Sequence, residues 1–142
     1  MANPLLPLRI DDRDLKRILE TRPEITSVEY VPDSIQKRAL SARCDPFVVR
    51  PVTGPAAPIL TVTLHERKFR IDYHDPNEEF HCGWHVDDDH PEYGPIHFQQ
   101  RVGSADEHTY ESVHVDARTA PTILLVVVQR LFETVLPETI GD

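Results

Sequence analysis

Phe69-Arg70-Ile71-Asp72-Tyr73-His74-Asp75-Pro76-Asn77-Glu78-Glu79-Phe80-His81-Cys82-Gly83-Trp84-His85-Val86 is the stretch that decides the fold. Phe69, Ile71 and Tyr73 alternate with Lys68, Arg70, Asp72 and His74, and Phe80, Cys82, Trp84 and Val86 alternate with His81, Gly83 and His85. Successive side chains of a strand leave on opposite sides, so this alternation describes strands with one apolar and one polar face. Asp75-Pro76-Asn77 brings turn chemistry between the two runs, which therefore read as a hairpin.

The same period continues on both sides. Leu60, Val62 and Leu64 alternate with Thr61, Thr63 and His65; Ile96, Phe98 and Gln100 with His97, Gln99 and Arg101; Val113 and Val115 with Ser112 and His114. Farther upstream, Ile25 to Val31 is rich in β-branched residues and ends at Pro32-Asp33, Ser34 to Cys44 reads as a strand, and 51–58 reads as a Pro/Gly-rich loop. Two helices flank these strands. Asp11 is a cap for a short one with Leu15, Ile18 and Leu19 as its apolar stripe, Ile10 as a staple onto Leu15, and Pro23 as its stop. The other runs from about Pro121 to Leu136, capped by Thr119 and ended by Pro137, and is apolar enough to lie across the sheet. The expected fold is α+β: a one-sided antiparallel sheet of about five to seven strands, with the C-terminal helix on its apolar face.

A chain of 142 residues fits a single domain, with residues 1–8 expected to be flexible. The longest apolar run, Ile123 to Val128, falls far short of the roughly 20 residues of a membrane span. The start of the chain lacks the basic and apolar regions of a signal peptide, so a cytoplasmic location is expected. Cys44 and Cys82 form no C-x-x-C arrangement and read as buried free thiols in a reducing compartment. Asp and Glu number 24 against 15 Lys and Arg, a net charge of −9 that opposes indiscriminate binding to nucleic acid or anionic membrane. The lysines are Lys16, Lys37 and Lys68 alone. So few beside so many carboxylates fits the cytoplasm of a halophilic archaeon, and equally an ordinary acidic protein.

Five of the eight histidines fall between 74 and 97. By parity, His81, His85, His97, Gln99 and Arg101 share the polar face with Lys68, Arg70, Asp72 and His74, and strands roughly 4.8 Å apart bring such side chains into one patch. A solvated sheet face is the plainest reading of that patch. A metal site is the second, but no cofactor and no tightly held metal are expected. His81 and His85 resemble H-x-x-x-H, yet on a strand they stand roughly 13 Å apart, so an ion would need cross-strand partners such as His85 with His97, or the 87–89 carboxylates. Asp87-Asp88-Asp89 lacks calcium-loop spacing. A catalytic face is the third: imidazoles act as general acid and base near neutrality, and an arginine offers a planar cation to phosphate.

Cys82-Gly83-Trp84-His85, the acidic, proline-bearing loop after it, and Gly94-Pro95-Ile96-His97-Phe98 resemble the TumE-type toxins and their haloarchaeal relatives. The resemblance covers about 60–142, together with Val31-Pro32-Asp33-Ser34-Ile35. Where the bacterial pattern has Gly-Asp-x-His-x-His, this chain keeps Gly94-x-x-His97 and carries Gln99 at the second histidine. The resemblance implies a toxin–antitoxin pair, an RNA target, a helix-turn-helix antitoxin as partner, and functional candidacy for His97 and, more distantly, His85. Combined with the polar face, it leads to a metal-independent ribonuclease using His97, His85 and His81, with Arg101 on the phosphate. The alternative is a non-catalytic binding module that uses the same His/Arg face.

Overall fold

Seven antiparallel strands follow one another in the sheet in chain order, each hydrogen-bonded to its neighbour in sequence. The computed structural model describes residues 3–101 and 108–139. The strands are β1 (Ile25–Val31), β2 (Ala39–Cys44), β3 (Ile59–Thr63), β4 (Phe69–Asp75), β5 (Phe80–Val86), β6 (His97–Arg101) and β7 (Thr109–Ser112). Helix α1 (Asp12–Glu20) precedes them, and α2 (Ala120–Arg130) follows, running on through a π-helical turn, Leu131–Val135, into α3 (Leu136–Thr139). This is the α+β meander that the period-two pattern predicts.

Registers carry the two faces across the sheet. Ile71 pairs with Trp84 and Trp84 with Phe98, while Arg70 pairs with His85 and His85 with His97. Leu40, Leu60, Val62, Phe69, Ile71, Tyr73, Phe80, Trp84 and Phe98 are buried in one core with Leu15, Leu19, Ile123, Leu124, Val127, Val128, Leu131 and Phe132 of the helices. Tyr73 meets Phe132 edge-on at 6.3 Å, and the Arg22 guanidinium lies over the other part of that contact, 5.4 Å from the Phe132 ring. Aromatic pairs at such distances add to the area they bury.

The helix ends follow their chemistry. Asp11 accepts a bond from the Asp14 N–H, and Thr119 and Thr122 form a reciprocal capping box with Pro121 in the first turn. The expected stop at Pro137 is not observed: the helix runs to Thr139. A proline has no N–H to give and crowds the carbonyl four residues back; the π turn before it, with Leu136 N–H bonded to Leu131 O, re-spaces the backbone so that helix continues past it. By length and composition Ala120–Thr139 is apolar enough to cross a membrane, a match that a search for uninterrupted apolar runs misses. Its buried side chains are spent on the sheet and α1 instead.

Two other expectations are corrected. The strand expected over Ser34–Cys44 begins at Ala39, because Asp33 Oδ1 accepts the N–H groups of Ile35 and Gln36, both at 2.8 Å, and holds the first residues as a turn. Val113 and Val115 pack against the core outside the ladder, β7 ending at Ser112. Residues 3–8 make defined contacts with the rest of the chain. Asn3 Nδ2 donates to the carbonyls of Asp87 and Pro95 at 3.1 and 2.7 Å, and Leu8 N–H donates to Glu66 O at 2.7 Å. Met1 and Ala2 lie outside the described residues.

Both cysteines are buried and free. Burial, helped by Glu24, pushes the Cys44 thiol up to about 12, and burial with Asp72 nearby pushes Cys82 up as well. Both shifts disfavour the thiolate that redox or nucleophilic chemistry requires.

Candidate functional site

The polar face of β3–β7 holds two histidine clusters. One lies under the loop between β5 and β6. His85 Nε2 is bonded to Asp72 Oδ1 at 2.6 Å, and the His85 and His97 rings meet at 5.2 Å and 74°. Gly83, between His81 and His85 on the same face, makes this possible, because any Cβ there would overlap Asp72 Oδ1 and come within 3.1 Å of His85 Nε2.

The 3₁₀ turn Pro91–Tyr93 folds over this cluster. His90 stands 5.0 Å from the His97 ring and 4.7 Å from Tyr110, and Tyr93 stacks on Tyr110 at 5.7 Å and 18°. Beneath them His97 is 1% exposed and His85 8%. Burial, reinforced by His85, holds the His97 imidazole below its ordinary value, against a pull upward from Asp87 and the Gln99 contact. The turn is fastened by the acidic run: Arg70 donates from Nε to Asp87 Oδ2 at 3.1 Å and from Nη2 to Asp89 Oδ2 at 2.6 Å. Burial pushes the Asp87 carboxyl up, but the Asp89 N–H and Arg70 outweigh it and hold Asp87 below the usual range. Arg70 is thus committed to two carboxylates.

The second cluster sits at the β4–β5 turn. His74 and His81, paired in the ladder, stack at 4.1 Å and 12°. Glu79, in the turn, brings a carboxylate oxygen within 4.8 Å of an imidazole nitrogen of each. Next to them opens a pocket of about 400 Å³ lined by Thr61, Asp72, His74, His81, Gln99 and His108 among others. Arg101 pairs with His81 in the β5–β6 ladder, and burial, with His74 and Arg101 beside it, lowers the His81 pKa.

All four residues nominated from sequence, His81, His85, His97 and Arg101, thus stand on the polar face, but in two groups. His85 and His97 are covered; His81 lines the open pocket with His74 and His108, and Arg101 pairs with His81 in the ladder. Glu79 is what the sequence reading passed over, and His74, which it set on the polar face, it did not nominate. The signal was present in the hairpin itself: Asp75 opposite Phe80 at the turn forces His74 opposite His81. Comparison with family models, curated proteins and solved structures finds no match to this chain, so the toxin resemblance rests on the residues that carry it.

Proposed function

We propose that the chain is the toxin of a toxin–antitoxin pair and cleaves RNA without a metal, with His81 and His74 as the acid/base pair and Arg101 on the phosphate. The observation that carries this reading is the stacked pair at 4.1 Å on the wall of an open pocket. Two imidazoles side by side can divide the roles of base and acid between them. His81, its pKa lowered, is the neutral partner that takes the 2′-hydroxyl proton as the 2′-oxygen attacks phosphorus. His74 is the partner that gives a proton to the departing 5′-oxygen as the P–O5′ bond breaks, leaving a 2′,3′-cyclic phosphate and a 5′-hydroxyl. His85 and His97 become positioning residues, with His85 holding Asp72 at the pocket wall. A helix-turn-helix antitoxin remains the partner that the resemblance implies.

The test is expression of the chain alone in a haloarchaeal and a bacterial host, read as growth and as RNA termini. Growth arrest with 2′,3′-cyclic ends, relieved by His81→Ala and far less by His114→Ala, supports the reading. Loss of a general acid or base lowers the rate by roughly 100-fold or more. Intact RNA and normal growth in both hosts would leave the second reading, a non-catalytic binding module. That reading is favoured by the Arg70 guanidinium being tied to Asp87 and Asp89, and by the net charge of −9, which leaves the face poor in cations for a polyanion.

A further inference from the structure

The β4–β5 turn carries a set of side chains whose chemistry is not exhausted by proton transfer. His74 and His81 face each other across the hairpin, and Glu79 closes the third side, with ligand atoms no more than 4.8 Å from one another. Around a tetrahedral ion with bonds of about 2.0–2.1 Å, ligand atoms lie roughly 3.3 Å apart. Closing that gap requires the side chains to rotate. His74 Nε2 is buried and has no hydrogen-bond partner among the described residues, an arrangement that costs free energy unless something occupies that nitrogen.

The backbone beneath is braced. The Asp75 carboxylate, buried, accepts from the Asn77 N–H and from Asn77 Nδ2, both at 2.9 Å, and from the Thr53 hydroxyl. Asn77 in turn exchanges two bonds with Ala56, at 3.0 and 2.7 Å, pinning the turn to the 51–58 loop. Glu79 takes φ 50°, a conformation uncommon for a residue with a side chain. Preorganisation of this kind spares a ligand the cost of ordering its site.

We infer that His74, Glu79 and His81 form a site for a divalent transition-metal ion of the zinc type, with a fourth position open to the adjacent pocket. Two imidazoles and a carboxylate suit zinc, cobalt or nickel rather than the oxygen-seeking magnesium or calcium. The stacked rings must turn out of their 12° alignment to aim both lone pairs at one point, so binding opens the stack. Arg101, across from His81, opposes a cation; Glu79, and Asp72 on the same pocket wall, act in the other direction. The inference does not rest on the ribonuclease reading, and it runs against the sequence expectation of no tightly held ion, so the titration decides between them.

The test uses the full chain, purified, stripped with chelator, and titrated with Zn²⁺ by calorimetry and with Co²⁺ by visible absorption. One ion per chain, a tetrahedral Co²⁺ spectrum, and affinity falling at least about 10-fold in His74→Ala, His81→Ala and Glu79→Gln support the site. Glu79 is an exposed turn residue, so Glu79→Gln keeps the test informative if a histidine variant unfolds. In the wild-type chain, imidazole NMR signals of His74 and His81 should shift together at one equivalent of zinc. No binding at 100 µM zinc, affinity that changes less than that in the variants, or shifts confined to other histidines would overturn it.

Discussion

Gly83 and Asp72 face each other across β4 and β5, and the Asp72 carboxylate occupies the space that a side chain at Gly83 would need. The bond from Asp72 to His85 exists because that space is empty. A glycine within a strand ordinarily weakens it, since it gains no packing and loses more entropy on folding. Here the missing Cβ is the condition for a polar contact on the face where the candidate chemistry lies.

Gly83→Ala should therefore destabilise the fold by about 1–3 kcal/mol, the usual range for overpacking, although alanine is the better strand residue. In the Asp72→Ala background the same substitution should cost much less, because the clashing carboxylate is gone. Urea unfolding of the four chains of this double-mutant cycle measures the coupling. Equal costs in both backgrounds would mean that Asp72 moves aside freely.

His97→Ala should cost about 1–3 kcal/mol, not the small amount expected of an outward-facing histidine on an open sheet. The parity was read rightly, but the Pro91–Tyr93 turn lies over the ring, and truncation leaves a void under His90, Tyr93 and Tyr110. His114→Ala, at an exposed position, should stay within about 0.5 kcal/mol. Thermal melts of the two variants side by side decide the matter.

Acid should weaken the protein in two stages. His97 and His81 have folded pKa values below the ordinary 6.5, so as pH falls through about 6.5 the unfolded chain takes up protons first. Stability then declines until pH reaches the folded values, where the loss is complete. Asp87, held below 3.8, adds stability that is present above 3.8 and disappears as pH falls through its lower folded value. Urea midpoints between pH 7.5 and 5 should fall in the wild type and fall less in His97→Gln. A flat wild-type profile would contradict the upper stage.

Chelation offers a further check on how the two histidine roles combine. An ion held by His74 and His81 takes the lone pairs that proton transfer needs, so added zinc should inhibit RNA cleavage and chelator should restore it. Cleavage that instead requires zinc would move the reaction to metal-activated water.

Much of this was legible in the sequence because strands write their faces into the chain at period two. The pairing of Trp84 with the core and of His81, His85 and His97 with the other side needed only parity. Cover and register need more. Nothing local to His97 announces that Tyr93 and Tyr110 will stack above it, since that depends on β7 pairing beside β6. The His74–His81 stack was hidden for a related reason: a search along one strand weighs His81 with His85, whereas the hairpin sets His81 against His74. The short β7 and the helix that passes Pro137 show the limits of reading element ends from residue preference alone.

A sheet whose strands pair in chain order can be assembled in the order in which it is synthesised. Each strand pairs with the next in sequence across a connection of four to 14 residues, and β2 has both neighbours once β3 has emerged. The apolar side of that sheet is completed differently, because Ile123, Leu124, Val127, Val128, Leu131 and Phe132 all follow the last strand. While the chain is growing, Leu60, Ile71, Trp84 and their neighbours therefore stand paired but uncovered on one side. The exposed stage runs from the joining of the last strands until α2 emerges from the ribosome to shield them.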